Sequence, residues 1–99
     1  MPTFVLICRD KPDALDLRMK TRPTHLAYLK ECGIPVLLGG PLLSEENKAE
    51  GSLIVFEADN EGAAADFAKN DPYAKAGLFQ STELKPMSFT LGSLIDHLD

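Results

Sequence analysis

Three strand-length runs in this chain are apolar at successive positions: Phe4-Val5-Leu6-Ile7, Val36-Leu37-Leu38 and Leu53-Ile54-Val55-Phe56. Successive side chains of a strand point to opposite faces, so a sheet with one wet face alternates apolar and polar residues. These runs do not alternate, and both faces of the sheet they build must be covered. The chain has 99 residues, which is one domain by size, and a chain this short buries only about two-thirds of its unfolded surface. Its helices have enough apolar surface for one face. A second copy of the same sheet is the simplest cover for the other, so a homodimer is expected.

Thr3 to Cys8 is a β-branched and aromatic run that reads as a strand, followed by a turn over Arg9 to Asp13 that contains Pro12. From Leu15 the period changes. Leu15, Met19, Leu26 and Leu29 share one helical stripe, broken at the same phase by Arg22. Pro23 cannot donate to the carbonyl of Met19, which predicts a kink or a restarted helix, and Gly33 ends the element. Ile34 to Gly40 is a second strand, with Pro35 at its start or on an edge. Pro41 to Gly51 reads as a polar, acidic loop and Gly51 to Ala58 as a third strand. Asp59 or Asn60 caps a second helix that carries Ala64, Phe67 and Ala68 on one face. Asp71-Pro72 sets a capping carboxylate before a proline in the first helical position, which opens a short extra turn. Phe79 to Met87 is the fourth strand. In the tail, residues 88–99, Leu91, Leu94, Ile95 and Leu98 repeat at helical spacing. The order β-α-β-β-α-β is an α+β arrangement of the ferredoxin-like kind, with a four-stranded antiparallel sheet in a single domain.

Charge and composition exclude several functions. The net charge is −5, from 10 Lys+Arg against 15 Asp+Glu, and no basic run is longer than two residues. Nucleic-acid binding needs cations gathered on one face, so it is not expected. No apolar run approaches the ~20 residues that span a bilayer, and the N-terminus lacks the basic start and small-residue cleavage site of a signal peptide. The expected location is cytoplasmic and away from membranes, with Cys8 and Cys32 as free thiols in a reducing compartment. Two histidines and two scattered cysteines make no recognisable metal set. There is neither a Gly-rich phosphate loop nor a Gly-x-Ser-x-Gly elbow.

The chemistry concentrates around His25. Arg18, Arg22 and His25 follow one another at i, i+4 and i+7, which sets two cations and an imidazole on the same side of the first helix. Imidazole suits proton transfer near neutral pH. Asp71 is a carboxylate of the type that fixes a histidine in one tautomer and offsets its charge, but Asp before Pro is also ordinary helix capping. Spacing alone does not join the two. Tyr73 either offers a phenol to a pocket or packs on its own short helix. Gly39-Gly40-Pro41 either lets backbone approach a ligand or simply makes a turn. His97, near the terminus, is a surface residue on this reading.

Taken together, several landmarks resemble the YciI-like (YCII-related) family. They are Arg22-Pro23-Thr24-His25-Leu26, Gly39-Gly40-Pro41, Asp71-Pro72-Tyr73 with Ala76-Gly77 behind it, and Lys85-Pro86. They come in the family's order and span Phe4 to about Met87. The tail beyond Met87 exceeds the family's usual end. The resemblance implies a dimeric α+β barrel, in which two ferredoxin-like sheets pack face to face. It also implies a site without cofactor or metal, built on a His–Asp pair that would be His25 and Asp71. One branch of the family removes HCl from a chlorinated hydroxyhydroquinone, and relatives of the same fold isomerise lactones or oxidise aromatic compounds. The implied function is a lyase, dehydrochlorinase or isomerase acting on a small phenolic or enolisable molecule. His25 would be its acid or base, Asp71 would orient it, and Arg22 or Arg18 would hold an anionic oxygen beside Gly40, Pro41 and Tyr73. The alternative is a binding or regulatory domain that keeps the pocket and turns over nothing. A haem-degrading or monooxygenase role fits less well, because the chain has no tryptophan and no second histidine in its expected core.

Overall fold

The computed structural model describes residues 1–94. The chain runs β1 (Thr3–Asp10), α1 (Leu15–Glu31), β2 (Val36–Leu43), β3 (Ala49–Glu57), α2 (Glu61–Asn70), α3 (Pro72–Lys75) and β4 (Phe79–Met87). The strands form one sheet in the order β2-β3-β1-β4, antiparallel throughout. This is the ferredoxin-like arrangement expected from the element order. The two central strands, β1 and β3, carry two of the three unalternating runs.

Register explains why those runs are apolar at every position. Phe4 lies opposite Phe56, Leu6 opposite Ile54 and Cys8 opposite Ser52, so these residues share one face. On it Phe4, Leu6, Cys8, Ile54 and Phe56 form the core with Ala64 and Phe67 of α2, and Tyr28, Leu29 and Cys32 of α1 and its end pack against them. Both long helices therefore use this face. The other face carries Val5 opposite Val55 and Ile7 opposite Leu53, with Leu38 and Leu42 beside them on β2. Val5, Ile7 and Leu53 are half-buried there, and Leu38 is exposed. On the helical side Phe56 packs on Phe67 at 4.5 Å between ring centroids, and such aromatic pairs add about 0.5–1.5 kcal/mol beyond area burial. The Tyr28 hydroxyl donates to the Phe67 carbonyl at 2.9 Å and ties α1 to α2.

Helix ends follow the expected chemistry. Asn60 Oδ1 accepts from the Ala63 N–H at 2.8 Å and opens α2, and Asp71 caps α3 with Pro72 in the first turn. Gly33, at φ +79°, sits just past the C-cap of α1 in the left-handed conformation that a side chain disfavours.

Four expectations need correction. The stretch from Pro41 to Gly51 is not one long loop, because β2 runs on to Leu43 and β3 starts at Ala49. β2 is an edge strand, where Pro41 need not donate to a neighbour. The turn between them is closed by Ser44 N–H to Lys48 O and Asn47 N–H to Ser44 O, both 2.9 Å, with Asn47 in the left-handed region at φ 62°. Secondly, α1 does not restart at Pro23. Pro23 and Met19 are exposed, so the carbonyl that loses its partner lies on the solvent side. Thirdly, the apolar stripe of α1 meets the core only at its end, through Leu29: Met19 is 55% and Leu26 42% exposed, while Arg18 and His25 are buried. Hydrogen-bond partners on other elements, Asp10, Ser52 and Asp71, hold the helix that way. Finally, the helical spacing in the tail is not realised over residues 88–94, which form no helix. The rest of that pattern, with His97, lies outside the described residues.

Candidate active site

Two buried polar side chains on the inner face of α1 organise the site. Arg18 and His25 are seven residues apart, about two helical turns, and so point the same way. His25 Nδ1 lies 2.9 Å from Asp71 Oδ1. The same oxygen accepts the Tyr73 backbone N–H at 2.8 Å. An ionised carboxylate only accepts, so in this pairing Nδ1 is the donor, and in the neutral imidazole Nε2 is then the nitrogen with a free lone pair. Asp71 is thus helix cap and imidazole partner at once, through a single atom. The Tyr73 ring stacks on His25 at 4.0 Å and 19°, and Arg18 Cζ lies 4.6 Å from the same ring centre.

Arg18 is itself bound. Its Nε donates to Asp10 Oδ2 at 2.6 Å and its Nη2 to Asp10 Oδ1 at 2.9 Å and Ser52 Oγ at 2.9 Å. The side chains of Arg18 and Asp10 are 5% and 4% exposed. Burial pulls the guanidinium pKa down, but the hydrogen bond and charge of Asp10 outweigh it and leave it raised. Burial also raises the Tyr73 phenol, against the opposing charges of Arg18 and Arg22. The Cys8 thiol is pushed up to about 12, first by burial and then by the negative charge of Asp71.

These groups form one end of a cleft of about 310 Å³ between α1 and the β2–β3 side of the sheet. Arg18, His25, Ser52 and Tyr73 give it polar character. Met19, Leu26 and Leu29 line it from α1, and Val36, Gly39 and Pro41 from β2. This is where the outward-turned stripe of α1 goes. A larger groove of about 750 Å³, between α1 and α3, is open to solvent and touches neither His25 nor Asp71. His25, Arg18 and Tyr73 therefore open onto the smaller cleft.

The structure brings His25, Asp71, Tyr73 and Arg18 into contact and sets Arg22, Gly40 and Pro41 on the cleft. The two arginines differ in their surroundings. Arg18 is neutralised by Asp10, whereas Arg22 is exposed and makes no ion pair among the described residues. Asp10 and Ser52 escaped the sequence reading. Asp10 lies in a stretch taken as turn, and Ser52 faces the site only through its pairing with Cys8. Among the described residues, no three His, Cys, Asp or Glu side chains gather as a metal ion would require.

A model of the YCII-related domain matches residues 2–88. An uncharacterized protein of Haemophilus influenzae is 34% identical over 91 residues, covering 84% of this chain and 93% of that protein. Protein YciI of Escherichia coli is 31% identical over the same shares. Among solved structures, the 5-chloro-2-hydroxyhydroquinone dehydrochlorinase of Burkholderia phenoliruptrix, in complex with 2,5-dihydroxybenzoquinone, is 30% identical. It superposes with a TM-score of 0.78 over 98% of this chain and 99% of that one. An antibiotic biosynthesis monooxygenase shares the fold at 10% identity, with a TM-score of 0.59 over 92% of this chain and all of that one.

Proposed function

The chain belongs to the YCII-related domain family, and from that premise we propose that it is a cofactor-independent acid–base enzyme, of the lyase or isomerase kind, acting on a small phenolic or enolisable ring. The observation that carries this is the 2.9 Å contact between His25 Nδ1 and Asp71 Oδ1 beside a cleft of about 310 Å³, room enough for a small ring. Asp71 takes the Nδ1 proton as hydrogen-bond partner, so Nε2 is the basic nitrogen. When Nε2 accepts a substrate proton, the imidazolium that forms lies against a carboxylate and needs no rearrangement to be stabilised. Likeness to the dehydrochlorinase supports a hydroquinone-type substrate.

On such a ring His25 removes a hydroxyl proton and returns it to the neighbouring carbon. If that carbon bears a halogen, halide then leaves as a second hydroxyl gives up its proton. The product is a quinone and the net loss is HX; without a halogen the reaction stops at the tautomer. Arg22, whose charge no carboxylate among the described residues offsets, holds the anionic oxygen.

The same reading makes the protein a homodimer through the sheet face that carries Val5, Ile7, Leu53 and Val55. Its test is turnover of halogenated and plain hydroxyquinols, followed by absorbance and by halide release. Wild type should turn over at least one of them and His25→Ala none, with the fold retained. Equal rates in the two proteins would refute the assignment.

A further inference from the structure

Asp71 restrains His25 through one hydrogen bond, which with the Cβ–Cγ bond sets where Nδ1 lies but still lets the ring tilt. A base needs its lone pair held at a fixed angle to the proton it takes. A second contact must fix the plane of the ring, and Tyr73 supplies it. Its ring is 4.0 Å from that of His25, and its backbone N–H donates to the oxygen that His25 uses. One residue thus touches both members of the pair, the carboxylate by its main chain and the imidazole by its side chain.

The tyrosine ring is held in its turn. Arg18 Cζ lies over it at 4.6 Å. Phe79 meets the edge at 6.1 Å and 73°, and the Tyr73 carbonyl accepts from the Leu78 N–H at 3.1 Å. Arg18 is pinned by Asp10 from β1 and Ser52 from β3.

We infer that Tyr73 is a positioning residue for the acid–base pair, and that the Asp10–Arg18–Ser52 cluster anchors its ring against His25. The inference rests on the reading of His25 as the group that moves the proton. It gives Arg18 a part played through Tyr73 and not on the substrate.

The test compares Tyr73→Phe, Tyr73→Leu and Arg18→Lys in the full chain, by turnover of a hydroxyquinol and by the His25 Nδ1 proton signal in NMR. Phenylalanine keeps the stack, and its kcat should stay within about 3-fold of wild type. Leucine should lower kcat about 10- to 100-fold with little change in KM. Lysine keeps the charge at position 18 but has no flat guanidinium to lay on the ring, so kcat should fall while KM holds. This variant also stands in if the leucine variant does not fold. The Nδ1 signal should broaden wherever kcat falls. Equal damage from phenylalanine and leucine would overturn the inference, because the phenol oxygen would then be what matters. So would a raised KM at unchanged kcat in Arg18→Lys, the mark of a substrate contact. If wild type turns over no hydroxyquinol, the proposed reaction fails by itself, and the signal decides the positioning: broadening upholds it, and unchanged sharpness overturns it.

Discussion

Replacing Asp71 by asparagine separates two jobs that one atom performs. Asp71 Oδ1 accepts from Tyr73 N–H at 2.8 Å and from His25 Nδ1 at 2.9 Å. An asparagine oxygen accepts both bonds with the same shape, and asparagine is itself a good helix cap, so unfolding free energy should change by less than about 1 kcal/mol. The chemistry changes more. A hydrogen bond to a charged group contributes about 1.5–3 kcal/mol and a neutral one about 0.5–1.5, so the imidazolium loses about 1–2 kcal/mol of support. If that support is felt in the transition state, the rate should fall about 5- to 30-fold. Asp71→Ala gives the contrasting case. It removes the cap, at about 1 kcal/mol, and leaves a buried Nδ1–H unpaired, at about 1–3 more. Urea unfolding followed by circular dichroism measures the first effect and hydroxyquinol turnover the second. Full activity in Asp71→Asn would refute the dyad and leave capping as the whole role of Asp71. A loss of several kcal/mol in the same variant would refute the bond-for-bond replacement.

Arg18→Met should destabilise the fold by about 3–5 kcal/mol, because it strands the buried Asp10 carboxylate, and replacing Asp10 by leucine in the same chain should recover much of that in urea unfolding. Sedimentation should give a mass near twice 10.8 kDa at micromolar concentration, and Ile7→Lys should reduce it to the single chain without unfolding it. Cys8 should resist iodoacetamide at neutral pH in the folded protein, since its thiol ionises only near 12. The folded thiol keeps its proton between its ordinary value of 9.0 and about 12. In that window the unfolded chain binds fewer protons, and stability falls as pH rises. Tyr28 and Tyr73, also raised by burial, add to the slope, so Cys8→Ala should make it shallower and not abolish it.

The sequence carried the fold because its signals were local. The bounds of β4 match at both ends, Asn60 and Asp71 cap where their side chains predict, and the unalternating runs fall on the two central strands. The errors lie where distant residues decide. The apolar spacing of Met19 and Leu26 predicts a buried stripe, but Asp10, Ser52 and Asp71 turn Arg18 and His25 inward instead. Those contacts span 8, 34 and 46 residues, beyond what helical periodicity can report. His25 and Asp71 were each visible as candidates. Their meeting was carried by the family resemblance and not by spacing, since each alone has an ordinary structural use. Tyr73 shows the limit most plainly: it is buried on its own short helix and also lines the cleft, a combination that its position in the sequence does not report.

The double duty of Asp71 Oδ1 bears on how this family is read across lineages. A descendant that stopped doing chemistry would still be selected to keep this aspartate, because the start of α3 depends on it. The histidine caps nothing: its Nδ1 bonds the carboxylate and its ring packs on Tyr73, and helix α1 closes its backbone bonds whatever side chain stands at position 25. Loss of activity should therefore leave its trace in drift at His25 while Asp71-Pro72 persists. In sorting active members from inert ones, the histidine is the informative letter and the aspartate is not.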